Sequence, residues 1–516
     1  MTRTMQASDG TSRLARGHAE RLSGPSEREP RLPAPSPQEE DGGRSRQGWL
    51  TAHPAWPLTA LLVGYPLWWA LGIADYMWIL LAVPMLLRMI GWSMRGRPLR
   101  MPPGFGLWLL FLAWGFIGVV TLTLSAPGTV SSPVSHRIIS WGIRTVSYFG
   151  LTIIFLYAGN LTEKELPRQK LAWLLGLIAI YATVLGIAGI LAPSFQFSSP
   201  FLVVLPHSLQ ANTFVQASMH PGLSQVQNVF GTPNAQGRPK APFDYTNAWG
   251  ESLTITMPWL LFVCLRSGTR RRLRILGWSM LLLSIVGLLY SLNRGAWIAV
   301  GFAVVYLAVR LAARGRFGLL GGLVAVLALA VIIGIATPVH TIISLRLQNG
   351  KSDSIRSSLF VLSLQDGLSS PVLGYGDTRQ QRGSPNSIAI GPSEVCQSCG
   401  QNSVGSTGQL TLLIVSTGFG GAALFYAFFA YGAWRYRRDA TAYGMIGVLI
   451  ILMSFIYTFT YDAVTAPLGL TLLAYALLWR NGRYVRELQQ NAPPGLQPSP
   501  APGRRALSNS GVVRPG

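Results

Sequence analysis

Apolar residues in this chain come in blocks about as long as a bilayer is thick, and that pattern constrains the fold more than any other feature. A hydrocarbon core of about 30 Å is crossed by about 20 helical residues, each rising about 1.5 Å. About twelve such stretches occur, at 57–73, 75–92, 104–124, 138–158, 171–192, 247–265, 275–292, 296–313, 318–336, 409–433, 443–460 and 463–479. Only Ala74 and Asp75 separate the first two, and the last two are broken at Asp462. Lipid offers no water to backbone groups, so apolar runs of this length must be helices. Charged residues make up 12% of the chain, against about 25% in a soluble domain. The sequence therefore predicts an all-α, polytopic transmembrane helical bundle and excludes a single-domain soluble enzyme.

Residues 1–48 and 487–516 lack hydrophobic periodicity and are rich in Ser, Gly and Pro. They read as disordered tails flanking a transmembrane domain at 49–486. No apolar signal region precedes the first span, so that span is expected to act as its own insertion signal. The formal charge of +23 could point to nucleic acid, but the basic residues gather between spans. Alternate loops 93–103, 159–170, 266–274, 310–317 and 434–442 hold 17 Lys and Arg, whereas the much longer opposing loops hold about 9. The positive-inside rule then puts both termini in the cytoplasm and makes membrane lipids, not nucleic acid, the expected partners. Two outer loops are large, 193–246 and 337–408. Loops of that length are usually functional, so chemistry is expected on the outer face.

The sharpest local signal is Ser291-Leu292-Asn293-Arg294-Gly295-Ala296-Trp297, a tight outer turn between two spans. Arg294 is either a snorkelling anchor or a guanidinium placed to grip a phosphate or diphosphate with two parallel hydrogen bonds. Gly295 would let a head group approach the backbone. Arg238 and Lys240 form a second outer basic pair, on an extended approach to the span that starts near Asn247. Asn247 either caps that helix or contacts sugar or phosphate. Asp244 either neutralises Lys240 or orients an acceptor hydroxyl. Residues 353–368 read as an amphipathic interfacial helix, in which Arg356 either pairs with Asp353 or faces the donor. Arg144 lies two turns from Arg137 on one helix face, and an intramembrane arginine is a functional candidate by default; both are placed to line a cavity with Arg294.

Cys396 and Cys399 are too few for a structural zinc site and lie in an oxidising loop, so a local disulfide is expected. The outer histidines show no metal-ligand spacing, so neither a metal nor a cofactor is expected. No Walker A loop, G-x-S-x-G elbow or metal-binding Asp pair occurs.

Residues 290–297 (YSLNRGAW), 241–258 (APFDYTNAWGESLTITMP), 355–376 (ending in SPVLGYG) and 405–421 (GSTGQLTLLIVSTGFGG) together resemble the O-antigen ligase and polymerase-like family of bacterial membrane proteins. The resemblance spans residues 57–480 in order, and YSLNRGAW is its most specific piece. It implies an inverting, metal-independent C-type glycosyltransferase of the plasma membrane. The donor would be a polyprenyl-diphosphate-linked glycan and the acceptor a glycan, lipid or peptide hydroxyl. Carried over, Arg294 matches the arginine that holds the donor diphosphate, and Arg238 a second one upstream. Lys240, Arg356 and Arg144 are further diphosphate candidates. Where family ligases carry a histidine, this chain has Thr407 in Gly405-Ser406-Thr407-Gly408-Gln409, which makes Thr407 and Gln409 the catalytic candidates there. Threonine is no strong base at neutral pH. Asp353, Asp377, Glu394 or His340 would then serve, or the acceptor needs little activation, or ligase activity has been lost. The other reading is a non-catalytic lipid-linked-glycan transporter or export partner. Broken helices and inverted repeats would favour it, but spans 1–6 and 7–12 show no convincing repeat.

Overall fold

The structure, a computed structural model, describes residues 53–129, 133–205, 218–227, 236–315, 317–336, 344, 351–380, 403–463 and 465–490. Residues 1–48, Cys396, Cys399, His340 and Glu394 lie outside them, as does the side chain of Asp353. The described residues are mostly helical. The helices are α1 (Trp56–Val63), α2 (Tyr65–Ala70), α3 (Ala74–Leu80), α4 (Ala82–Met94), α5 (Phe105–Ile117), α6 (Val134–Asn160), α7 (Arg168–Leu191), α8 (Thr246–Leu265), α9 (Arg271–Tyr290), α10 (Arg294–Ala312), α11 (Phe317–Ala336), α12 (Lys351–Ser369), α13 (Gln409–Tyr436), α14 (Ala442–Tyr457) and α15 (Ala466–Gln490). Among the described residues, seven helices are long and apolar enough to cross a membrane: α3 with α4, α6, α7, α8, α9, α10 and α13. Shorter apolar helices lie at 105–121, 320–329 and 442–457. This is the architecture of a polytopic helical membrane protein.

Two boundaries differ from the sequence reading. The first expected span is not one helix: the chain breaks at Gly64, where the Trp68 indole occupies the space of a Cβ and donates to the Ala60 carbonyl. The last helix begins at Ala466 and runs to Gln490, past the expected start of the tail at 487. Its end is polar, and hydropathy alone marks where apolar surface stops, not where a helix stops.

Large rings fill the centre of the bundle. Trp108, Phe111, Phe155, Phe425, Phe428, Phe429 and Tyr475 pack together, and the Trp108 indole donates to Thr152 Oγ1 at 2.8 Å, so its N–H is not left unpaired. Elsewhere helices meet through small residues. A Cβ on Gly176 of α7 would lie 2.9 Å from Leu260 Cα of α8, the close approach that glycine permits between membrane helices.

The basic loops converge at one end. Arg97 pairs with Glu165 at 2.7 Å, and Asn160 bonds the backbone of Arg100 on both sides. Arg168 and Arg480 both reach Glu163. Arg310 donates to the carbonyls of Arg437 and Asp439, and Asn481 donates to Asp439. These contacts tie α4, α6, α7, α10, α13 and α15 together where the arginines cluster.

At the other end the loops fold onto the helices. Among the described residues, two small antiparallel sheets depart from the all-α expectation: β1 (Ser224–Gln227) with β2 (Gln236–Pro239), and β3 (Arg379–Gln380) with β4 (Ser403–Val404). Residues 371–376 dip beside α13, which is interrupted at Gly418 (φ 67°) to receive them. The Phe419 amide donates to the Pro371 carbonyl, and the Tyr375 amide donates to the Val415 carbonyl. Gly374 adopts φ 65°, and a Cβ there would sit 2.6 Å from the amide of Gly418. The backbone crossing therefore requires glycine on both strands of the contact.

Candidate functional site

Arg294 owes its position to a short, over-determined turn. Asn293 caps α10, its side chain accepting from the Ala296 amide at 3.0 Å. Leu292 takes a left-handed conformation, φ 51°, which a leucine adopts only when its surroundings impose it. Arg238, at the end of β2, donates through Nε to the Ser291 carbonyl at 2.6 Å. The Asn293 side chain also fills the space beside Gly250 of α8. The two basic motifs, separate in sequence, are thus locked to each other.

They open onto a cavity of about 1740 Å³. Arg144, Arg238, Arg294 and Arg356 all line it, as do Asp244, Asn247, Ser403 and Ser406. Asp75, Tyr76, Tyr245, Tyr461 and Asp462 complete its polar wall. Ile79, Leu80, Ile139, Ile143 and Ile298 form an apolar side. Of these, Leu80, Ile139, Ile143 and Ile298 are also exposed at the surface of the bundle, so the apolar side reaches the protein's edge.

The other candidates from the sequence fall in different places. Arg137 is buried and donates to the carbonyls of Leu122 and Leu124 instead of lining the cavity with Arg144. Arg144 itself is paired with Asp377, which is buried. Asn247 does not cap α8: Tyr245 holds that position, with no side-chain cap bond, and Asn247 faces the cavity. Lys240 is half-buried and off the cavity wall. Burial lowers its ammonium from the usual lysine range, and Asp244 pulls it back. Thr407 and Gln409 do not line the cavity either. The Thr407 hydroxyl meets that of Thr411 at 3.0 Å, and Gln409 donates to the Tyr148 hydroxyl at 3.2 Å. Both close the start of α13 against residues 458–461, where the Gln409 amide donates to the Tyr461 carbonyl.

Gly295 has a different use from the one expected. The space a Cβ would take lies 2.6 Å from Tyr461 Oη and 2.9 Å from Thr460 Oγ1, so glycine admits a neighbouring loop of the protein. That loop carries Asp462, which, like Asp75 of α3, the sequence marks only as a break between spans. Asp75 and Asp462 are both cavity residues. Asp75 and Asp244 share a side-chain hydrogen bond, and burial raises the Asp244 carboxyl above its usual range, with Asp75 and Lys240 opposing. Asp462 is exposed toward the cavity, yet the protein around it withdraws enough bulk water to push its carboxyl up to about 6, with its own backbone N–H and Arg144 pulling it down. The Tyr461 hydroxyl is pushed up to about 12 by burial, against the pull of Arg356 and Arg238.

Chemically, the site pairs a group of guanidinium ions with a set of carboxyls in one large cavity bordered by apolar surface. Guanidinium groups suit phosphate oxygens, and the apolar side suits a hydrocarbon chain. Among the described residues no group of three or more His, Cys, Asp or Glu gathers as a metal site. No protein-family model and no curated protein matches the chain.

Proposed function

We propose that this protein is a metal-independent glycosyltransferase similar to the O-antigen ligase and polymerase-like proteins. It transfers a glycan from a polyprenyl-diphosphate-linked donor to an acceptor hydroxyl during cell-surface polysaccharide assembly. The observation that carries this reading is the meeting of Arg144, Arg238, Arg294 and Arg356 around one cavity, although they come from four separate stretches of the chain. A diphosphate leaving group gathers negative charge as the glycosidic bond breaks, and fixed cations in a poorly hydrated site stabilise that charge. The exposed apolar residues Leu80, Ile139 and Ile143 beside the arginines suit the prenyl chain of such a donor.

The proposed setting is the bacterial plasma membrane, crossed about twelve times, with both termini in the cytoplasm and the cavity on the outer face. In support, the arginine-rich loops lie together at the end opposite the cavity, as the positive-inside rule requires. Single cysteines at Ser125 and Ser267, both exposed, test this in a background with Cys264 replaced by Ala and Cys396 and Cys399 by Ser. An impermeant maleimide added to whole spheroplasts is expected to label Ser125→Cys and to reach Ser267→Cys only after permeabilisation. The reverse pattern would place the cavity on the cytoplasmic face and remove the donor from its reach.

Depletion tests the reaction. Loss of the protein is expected to make a polyprenyl-diphosphate-linked glycan accumulate with its sugar on the outer leaflet. Adding purified protein to depleted membranes should move that glycan onto its acceptor. Accumulation on the inner leaflet would instead favour the transporter reading, for which the broken helix α13 is a supporting feature. That break, however, accommodates the 371–376 turn.

A further inference from the structure

The three carboxyl side chains lining the cavity, Asp75, Asp244 and Asp462, are not equivalent. Asp75 and Asp244 hydrogen-bond to each other, and two carboxyl groups can do so only while one of them keeps a proton. A pair that already shares a proton resists taking a second near neutral pH. Lys240, beside Asp244, compensates the one remaining charge. Among the described residues, the other carboxyls near the cavity are also committed or off its wall. Asp377 is buried against Arg144. Glu251 is buried within α8 and off the cavity wall.

Asp462 differs in both respects. It lies in the extended link between α14 and α15, with its side chain open to the cavity. The surrounding protein still removes enough water to bring its carboxyl up to about 6, close to the value at which a carboxylate is both ionised and basic at neutral pH. The charged and titratable groups facing it are Arg144 and Tyr148 of α6, and Tyr245 and Glu251 at the start of α8 and within it. Its chain neighbour Tyr461 packs on Gly295, next to Arg294, and is held by the Gln409 amide. Through Tyr461, Asp462 is therefore positioned relative to the arginine turn.

We propose that Asp462 is the general base of the transfer and accepts the proton of the acceptor hydroxyl. This assignment rests on the glycosyltransferase reading. As the acceptor oxygen attacks the anomeric carbon, its O–H proton passes to the Asp462 carboxylate and a new C–O bond forms. The bond between that carbon and the donor's phosphate oxygen breaks, and the diphosphate leaves with the electron pair among the arginines. Asp462 later returns the proton to water. The base absent at Thr407 is thus supplied from the link between α14 and α15.

The test uses the full-length protein in liposomes. Lipid-linked glycan extracted from depleted cells serves as donor, and membranes of the same cells serve as acceptor. Wild-type turnover is expected to fall as pH drops through about 6. Asp462→Asn should lower turnover about a hundredfold and abolish that acid limb, while donor affinity and thermal stability stay within about twofold and a few degrees of wild type. Asp462→Glu should recover part of the rate together with an acid limb. An Asn variant with near-normal turnover and an unchanged acid limb overturns the assignment and leaves the transferase reading standing. So does a loss of turnover fully accounted for by lost donor binding or unfolding. If the Asn variant does not fold, the wild-type and Glu profiles decide, and the absence of any acid limb between about pH 5 and 8 rejects the base. A wild-type protein that binds the donor and never transfers overturns the transferase reading and the base with it.

Discussion

Arg294→Ala is expected to abolish detectable glycan transfer, a loss of at least about a thousandfold, while the protein still inserts and folds. The fold should survive because three contacts that set the turn run through other residues. Asn293 caps α10, Arg238 holds the Ser291 carbonyl, and Gly295 seats Tyr461, all through atoms that alanine leaves in place. Transfer should fail because removing one fixed donor from a developing oxyanion costs about two to three powers of ten, and here the donor also carries a full charge. Arg294→Lys separates charge from geometry. An ammonium restores the charge but not the planar fork that meets two phosphate oxygens at once, so it should recover only a small part of the rate. Transfer would be measured with lipid-linked donor in liposomes beside a thermal-unfolding control. A well-folded Arg294→Ala protein with near-normal transfer would show that this arginine only anchors the helix end, and attention would move to Arg356 and Arg144 on the same cavity wall.

The sequence made the helices legible to different degrees, for physical reasons. Long spans such as α6, α7 and α13 stand out because lipid demands an unbroken apolar run, and their bounds follow the hydropathy closely. The break at Gly64 was not legible, because it depends on where the Trp68 ring goes and not on any loss of apolar character. In the site, Arg238 and Arg294 could be picked out because basic residues are scarce in the outer loops. Their mutual contact through Ser291 could not. Asp75 and Asp462 were read as punctuation between spans, although a signal was present: a carboxylate at the edge of an apolar helix is costly and is kept for a reason. Thr407 attracted attention through resemblance alone. Its hydroxyl is engaged with Thr411, and nothing in the local sequence indicated which way it faces.

Arg379 was not singled out by any motif, yet replacing it is expected to have the largest effect on stability in the outer half of the molecule. The residue is 1% exposed. One end of its guanidinium donates to the carbonyls of Asp377 and Thr378, the other to those of Leu124 and Tyr375. It therefore clamps the link after α5 to the segment that dips beside α13. The same link also receives Arg137, through the carbonyls of Leu122 and Leu124. Methionine would fill much of the volume but take the Arg379 donor from the buried carbonyls of Asp377 and Tyr375, each loss costing about 1–3 kcal/mol. Arg379→Met should accordingly destabilise the detergent-solubilised protein by about 3 kcal/mol or more, read as a lowered midpoint in thermal unfolding. Lysine can satisfy one side of the clamp but not both, and should fall between methionine and wild type. The effect should also reach the cavity. Asp377, whose carbonyl Arg379 holds, pairs with Arg144 on the cavity wall, so the folded fraction of Arg379→Met should bind lipid diphosphate more weakly than wild type. An unchanged unfolding midpoint in the methionine variant would mean that the clamp is redundant with Arg137. The wall that carries Arg144 would then be held by the hydrogen bonds of residues 371–376 to α13 alone.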